Sequence, residues 1–158
     1  MGSEDTAKVI DIIQDIKVGM LTTQSSSGLL SRPLTTVRVD NHGDLWFFIS
    51  ADSDIASEVE AQPEVNVSFA DSKQWVSVRG TASLVRDVAK KEELWNPAVS
   101  AFARDGAQSP SVVLLRVESD TAEYWENPGG AASVVANWIR NKVTGKNEHP
   151  GNSGVVDL

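Results

Sequence analysis

Two short clusters hold most of the side chains that could take part in binding or chemistry. The first, residues 31–36, places one arginine, Arg32, among hydroxyl groups. The second, residues 50–57, is rich in Ser and Asp and lies where a predicted strand leads into a helix that begins at Ser53. A helix N-terminus has unpaired backbone N–H groups and a partial positive charge, so an adjacent arginine would complete a phosphate site. In the alternative interpretation, which the residue types alone favour, Ser53 only caps a helix and Arg32 lies on an exposed edge.

Most familiar catalytic and metal-binding patterns are absent from the sequence. There is no cysteine, which excludes disulfides, thiolate metal sites, iron–sulfur clusters and a cysteine nucleophile. The two histidines, His42 and His149, are predicted to lie in a hairpin turn and in a tail, where we expect them to be solvated. No glycine-rich phosphate loop, HExxH motif or nucleophile elbow occurs. We therefore expect no metal site and assign no catalytic residue.

Tryptophan is frequent for a chain with one tyrosine and four phenylalanines. Of the five tryptophans, three fall in predicted strands and two in predicted helices: Trp46, Trp75 and Trp125, then Trp95 and Trp138. A buried indole contributes a large apolar area, so packing in the core is the simpler interpretation. In the other interpretation, one or two indoles line a slot for a planar aromatic ligand.

Composition and charge indicate an ordinary domain with an acidic surface. The chain has 158 residues, 41% of them hydrophobic and 23% charged, which suits one domain, residues 1–145. Gly, Asn, Ser and Pro then predict a flexible tail, residues 146–158. The net charge of −8 argues against nucleic acid and anionic membranes as partners. Since the sequence contains neither a membrane span nor the pattern of a signal peptide, we expect a cytoplasmic protein.

Hydrophobic periodicity and turn residues predict seven short strands and four helical segments. The predicted strands are residues 20–24, 29–39, 45–50, 65–70, 74–82, 111–118 and 122–126. The predicted helices are residues 6–16, 53–62, 88–102 with a break at Asn96 and Pro97, and 131–143. This pattern favours a mainly β (α+β) fold, an antiparallel barrel with flanking helices. A hairpin between the second and third strands would bring Arg32 close to Ser53.

Six motifs along this pattern resemble a known family in their order and spacing. They are residues 31–34, 46–54, 65–71, 76–80, 93–97 and 122–125. Each motif alone is weak, but together they cover about residues 5–145. The sequence resembles the general stress proteins of the pyridoxamine 5′-phosphate oxidase-like class, which are flavin-binding split barrels.

The resemblance implies a split β-barrel homodimer that binds FMN, or alternatively FAD, at the interface between its subunits. The flavin phosphate would lie near Arg32 and the helix that begins at Ser53, and Trp75 would reach the flavin from the partner subunit. Twelve residues are implied to bind the cofactor: Arg32, Pro33, Leu34, Phe48, Ile49, Ser50, Ser53, Asp54, Ile55, Trp75, Trp95 and Trp125.

The sequence also departs from the oxidase pattern at three places. Ile55 stands where many relatives have a lysine beside the phosphate, and Val37 lies near the position of a second lysine. The oxidases' C-terminal substrate signature is missing as well. We therefore expect no pyridoxamine 5′-phosphate oxidase activity. The expected function is that of a flavin-binding general stress protein with weak FMN-dependent oxidoreductase activity. A non-enzymatic flavin binder or sensor is the alternative, and a deazaflavin or haem in the same barrel is a third.

Overall fold

A computed structural model describes residues 3–127 and 153–158 of the chain. Its helices are α1 (Ser3–Ile16), α2 (Asp54–Ala61), α3 (Val88–Leu94) and α4 (Pro97–Phe102). Its strands are β1 (Val18–Ser25), β2 (Gly28–Thr35), β3 (Arg38–Val39), β4 (Leu45–Ser50), β5 (Glu64–Ala70), β6 (Gln74–Val85), β7 (Val112–Glu126) and β8 (Ser153–Asp157). Every strand pair is antiparallel, in the order β2-β1-β5-β6-β7-β4-β3, and β8 pairs with β7. No helix in these residues has the length and hydropathy of a membrane span.

The main core fills the interior of the curved sheet. Side chains alternate between buried and exposed along β5 and β6, as expected for strands with one face in the core. Helices α1 and α2 cover this interior with apolar side chains, among them Ile13 from α1 and Ile55 and Val59 from α2. The sequence prediction of an antiparallel, mainly β fold with flanking helices is confirmed.

Strand β4 is buried on both faces because it separates two cores. Leu45, Phe47 and Ile49 point into the main core. Trp46 and Phe48 point to the other side, where they pack with α3, α4 and β7 in a second, smaller core. The nearly continuous apolar sequence of β4 follows from this double burial.

The region predicted as one strand over residues 29–39 forms two separate strands. The turn before Gly28, whose φ of 114° suits glycine, folds β2 back onto β1 in a hairpin. Pro33, which cannot donate to a ladder, lies on this edge strand opposite Met20. Only Arg38 and Val39 pair with β4, so the predicted hairpin between residues 29–39 and 45–50 is wrong for most of its length.

Strand β7 is continuous where the sequence predicts two strands. Its pairing with β6 steps from Arg79–Thr121 to Gly80–Ser119, which leaves Asp120 as an extra residue in a bulge. The polar residues around this bulge interrupt the hydrophobic pattern but do not end the strand.

The prediction of a flexible tail is wrong for its last residues, because residues 153–157 form β8. This strand pairs with β7, and Val156 is buried in the main core. The sequence signal was weak, since only Val155 and Val156 are apolar among the five residues. The predicted helix at residues 131–143, which includes Trp138, lies outside the described residues.

Replacing Gly80 by alanine should destabilise the fold at the bulge. A Cβ at this position would lie 2.3 Å from the Glu118 carbonyl oxygen, so the two strands would have to separate. We expect a loss of about 1–3 kcal/mol in the free energy of unfolding, as for other overpacked sites. Urea unfolding measures this as a lower midpoint. Ser83→Ala, at an exposed position of the same strand, is the control and should change little. Equal midpoints for the two variants would contradict the close approach at Gly80.

Candidate functional site

A cavity of about 550 Å³ opens beside the end of β2, the link to β3, strand β4 and helix α4. Its volume is in the range of small-molecule sites. Pro33, Leu34 and Phe48 form part of an apolar wall, and Phe102 adds a largely exposed aromatic ring. The fold therefore brings three of the predicted cofactor-binding residues to one cavity: Pro33, Leu34 and Phe48.

The ring of Phe48 in the cavity wall is supported by Trp95 on its far side. Phe48 meets the Trp95 ring edge to face, with 5.3 Å between ring centroids and 76° between the planes. The Trp95 indole donates a hydrogen bond to the Ser100 hydroxyl at 2.7 Å. Asn96, which lines the cavity, caps α4 by accepting the Val99 N–H at 3.0 Å. Trp95 thus supports the cavity wall through Phe48 rather than lining the cavity itself.

The polar residues at the cavity include Lys17, which the sequence analysis did not select, and Thr36, from its first cluster. Lys17 lies just beyond α1 with a φ of 67°, and its backbone is held by hydrogen bonds from its N–H to Ile13 and from Thr36 to its carbonyl. Lys17 and Val37 both belong to the residues that line the cavity. The Thr36 hydroxyl is buried, and no hydrogen-bond partner for it occurs in residues 3–127 and 153–158.

Helix α2 begins where the sequence predicts, directly after Ser53. Ser53 is the N-cap: its hydroxyl accepts the Ala56 N–H at 3.3 Å and donates to the Ser50 carbonyl at 2.7 Å. In the part of the chain that the structure describes, the N–H groups of Asp54 and Ile55 have no acceptor. These donors and the helix dipole together suit a phosphate.

Arg32 packs against α2, and its guanidinium forms an ion pair with the Glu58 carboxylate of that helix. Its two terminal nitrogens donate to the two oxygens of Glu58 at 2.8 and 3.0 Å. The fully buried Thr23 hydroxyl accepts from Arg32 at 3.2 Å and donates to Glu58 at 2.6 Å. Hydrogen bonds from Arg32 and Thr23 lower the pKa of Glu58, and the bond to Glu58 raises the pKa of Arg32. The β1–β2 hairpin therefore places Arg32 next to α2, where it is paired with Glu58.

Sequence reasoning missed Glu58 because its position is typical of a solvated helix face. Asp54 and Glu58 are four residues apart and lie on one side of α2, as surface acids often do. Only the folded hairpin shows that this side of the helix faces an arginine.

Several predicted site residues do not present their side chains at this cavity. Ile49 and Ile55 are 4% and 8% exposed and pack in the main core, so only their backbones could reach a ligand. Ser50 is exposed at the end of β4. Trp75 and Trp125 are cross-strand neighbours at the far ends of β6 and β7 and do not line the cavity.

Comparison with known proteins identifies the family of the chain. The model of the family described as pyridoxamine 5′-phosphate oxidase like matches residues 4–149. The chain belongs to this family. It is 31% identical over 143 residues to the protein bli-3 of Neurospora crassa, covering 82% of this chain and 68% of that protein. The resemblance inferred from the six motifs is confirmed.

Solved structures place the fold among the split barrels of this family. A Jannaschia sp. CCS1 protein described as general stress protein 26 superposes with a TM-score of 0.73 at 23% identity, over 98% of this chain and 99% of that chain. A general stress FMN/FAD binding protein of Xanthomonas citri superposes with a TM-score of 0.71 at 27% identity, over 80% and 92%. The predicted split-barrel architecture is thereby confirmed.

Replacing Glu58 by glutamine should remove a pH-dependent part of the stability. Because the folded-state pKa of Glu58 is lowered, its ion pair stabilises the fold above the ordinary carboxyl pKa and is lost as pH falls through the folded value. We expect Glu58→Gln to be less stable than the parent by about 1–2 kcal/mol near neutral pH, with the difference vanishing in acid. Urea midpoints measured across this pH range test it.

Glu60→Gln is the matched control on the same helix. Glu60 meets Arg86 at 3.4 Å with both side chains about 60% exposed, so its loss should change little at any pH. A Glu58→Gln difference that stayed constant from neutral to acidic pH would show that this carboxylate is not held as described.

Proposed function

We propose that the protein is a flavin-binding general stress protein, with the ring in the cavity beside Phe48 and the phosphate at the start of α2. The observation that carries this proposal is the cavity itself, whose lining combines an apolar wall with the polar residues Thr36, Asn96 and Lys17. Family membership supports it, and so does the Xanthomonas citri relative described as FMN/FAD binding. In this proposal FMN is the cofactor, FAD is the alternative, and the protein is cytoplasmic.

A bound flavin would supply the redox chemistry, and the residues of this chain would bind and orient it. Pro33, Leu34 and Phe48 would contact the ring, and Thr36 would donate or accept a hydrogen bond at its polar edge. The N–H groups of Asp54 and Ile55, with Arg32 beside them, would hold the phosphate.

The cavity favours binding over general acid–base catalysis. Its described lining contains hydroxyl, amide and ammonium groups but no carboxyl or imidazole side chain. A protein of this kind can hold a flavin without turning over a substrate, which is the second candidate function. Stopped-flow mixing with NADH and NADPH separates the two, since fast bleaching of bound flavin would indicate an oxidoreductase.

We also propose that the protein is a homodimer in which the two copies meet by the same surface. This surface, the outer sheet face, consists of the outward side chains of β1, β5, β6, β7 and β8. The strand register aligns Met20 with Ser68 on this face, and four apolar side chains there are more than 40% exposed: Val18, Met20, Trp125 and Val155. A second copy would cover them by the same face, as two-fold symmetric interfaces do. Trp75 and Trp125 could reach a flavin only from such a partner.

Arg32→Ala should weaken FMN far more than riboflavin. The change removes a charge-assisted hydrogen bond and leaves Glu58 uncompensated beside the phosphate, so we expect about a tenfold to hundredfold loss for FMN. Riboflavin, which has no phosphate, should lose little. Calorimetric titration of both ligands measures the affinities, and Arg86→Ala, an exposed arginine near α2, is the control. Equal losses of affinity for FMN and riboflavin would show that Arg32 does not contact the phosphate.

Met20→Lys should convert the dimer into a monomer. The substitution places a charge among the apolar side chains of the outer sheet face, where a partner would have to desolvate it. Light scattering with flavin present should give the mass of two chains for the parent and of one chain for the variant. Val88→Lys, at a similarly exposed apolar residue of α3, should leave the mass unchanged. A monomeric parent would refute the dimer.

A further inference from the structure

The proposed phosphate site is poor in positive charge. Arg32 faces this side of α2, and Asp54 and Glu58 both act on it electrostatically. The Ile55 side chain is apolar and is buried in the main core, so it adds no charge. Since one guanidinium faces two carboxylates, an added phosphate dianion would meet a region that is already negative.

The pair of Arg32 and Glu58 imitates the contact that a phosphate would make. Two parallel N–H donors of the guanidinium grip two oxygens of one anion, which is the geometry that arginine offers to carboxylates and phosphates alike. Thr23 adds a third bond to the Glu58 carboxylate from a fully buried position. The side chain of Glu58 is 13% exposed, so the carboxylate is held in place rather than displayed to solvent.

We propose that Glu58 determines cofactor specificity by competing with the flavin phosphate for Arg32. This inference rests on the proposed function, since it assumes a flavin in the cavity. A phosphate monoester can either displace the Glu58 carboxylate or bind next to it. Displacement breaks the bonds from Arg32 and Thr23, and binding next to it places like charges close together. In both cases FMN pays a penalty that riboflavin does not.

Glu58→Gln isolates this effect because it keeps the length and the hydrogen-bonding oxygen of the side chain but removes its charge. We expect FMN to bind the variant about tenfold more tightly than the parent at low salt, since one like charge a few ångströms from the phosphate is removed. The gain should shrink at high salt. Riboflavin affinity should change less than about twofold. Thr23→Val, which removes one bond to the carboxylate, should shift FMN in the same direction by a smaller factor.

The experiment titrates FMN and riboflavin separately into the full chain by calorimetry, at low and high salt. The proteins compared are the parent, Glu58→Gln, Thr23→Val and the control Glu60→Gln, whose exposed carboxylate lies on the same helix. The control should leave the ratio of FMN to riboflavin affinity unchanged. If one variant does not fold, the other still gives the direction of the change.

Each outcome decides between the two proposals. Tighter FMN binding with unchanged riboflavin binding supports competition by Glu58. Unchanged or weaker FMN binding, in a variant that still binds riboflavin as the parent does, overturns it and makes Glu58 a residue that positions Arg32. If no protein in the series binds either flavin, the proposed function itself fails, and the competition fails with it.

Discussion

The burial of β4 on both faces is the constraint on which the rest of the structure depends. One set of its side chains fills the interior of the sheet, and the other set supports α3 and α4. A strand in this position has to end where both cores end, and Ser50 is the exposed residue at that point. The chain then turns directly into α2 through the cap at Ser53. Phe48 and the start of α2 are therefore brought to one region by the same strand.

The second feature of this region is the ion pair between Arg32 and Glu58 beside α2. A guanidinium has five N–H donors, and here it makes three hydrogen bonds, two to the Glu58 carboxylate and one to the buried Thr23 hydroxyl. The result is a preformed arginine whose charge is largely neutralised within the protein.

Much of the fold could be predicted because local pattern and final burial agree. The alternation along β5 and β6, the cap at Ser53 and the helix break at Asn96 all have direct physical causes in the sequence. The pairing of β2 could not be predicted, because its side chains are mostly exposed and carry no face pattern. Strand β8 depends on the long free edge that β7 offers, which is a property of the assembled sheet.

The residues of the candidate site also fall into a group that could be predicted and a group that could not. Pro33, Leu34 and Phe48 were implied by the resemblance to the family, and all three line the cavity. Glu58 and Lys17 were missed because their roles arise only from distant segments that fold against them. Lys17 also has a consequence of its own. Its left-handed backbone would suit glycine better, by about 1 kcal/mol, yet glycine there would remove a long cationic side chain from a residue that lines the cavity. If the proposed ligand uses that charge, thermal robustness and ligand affinity place opposite demands on this joint between α1 and β1.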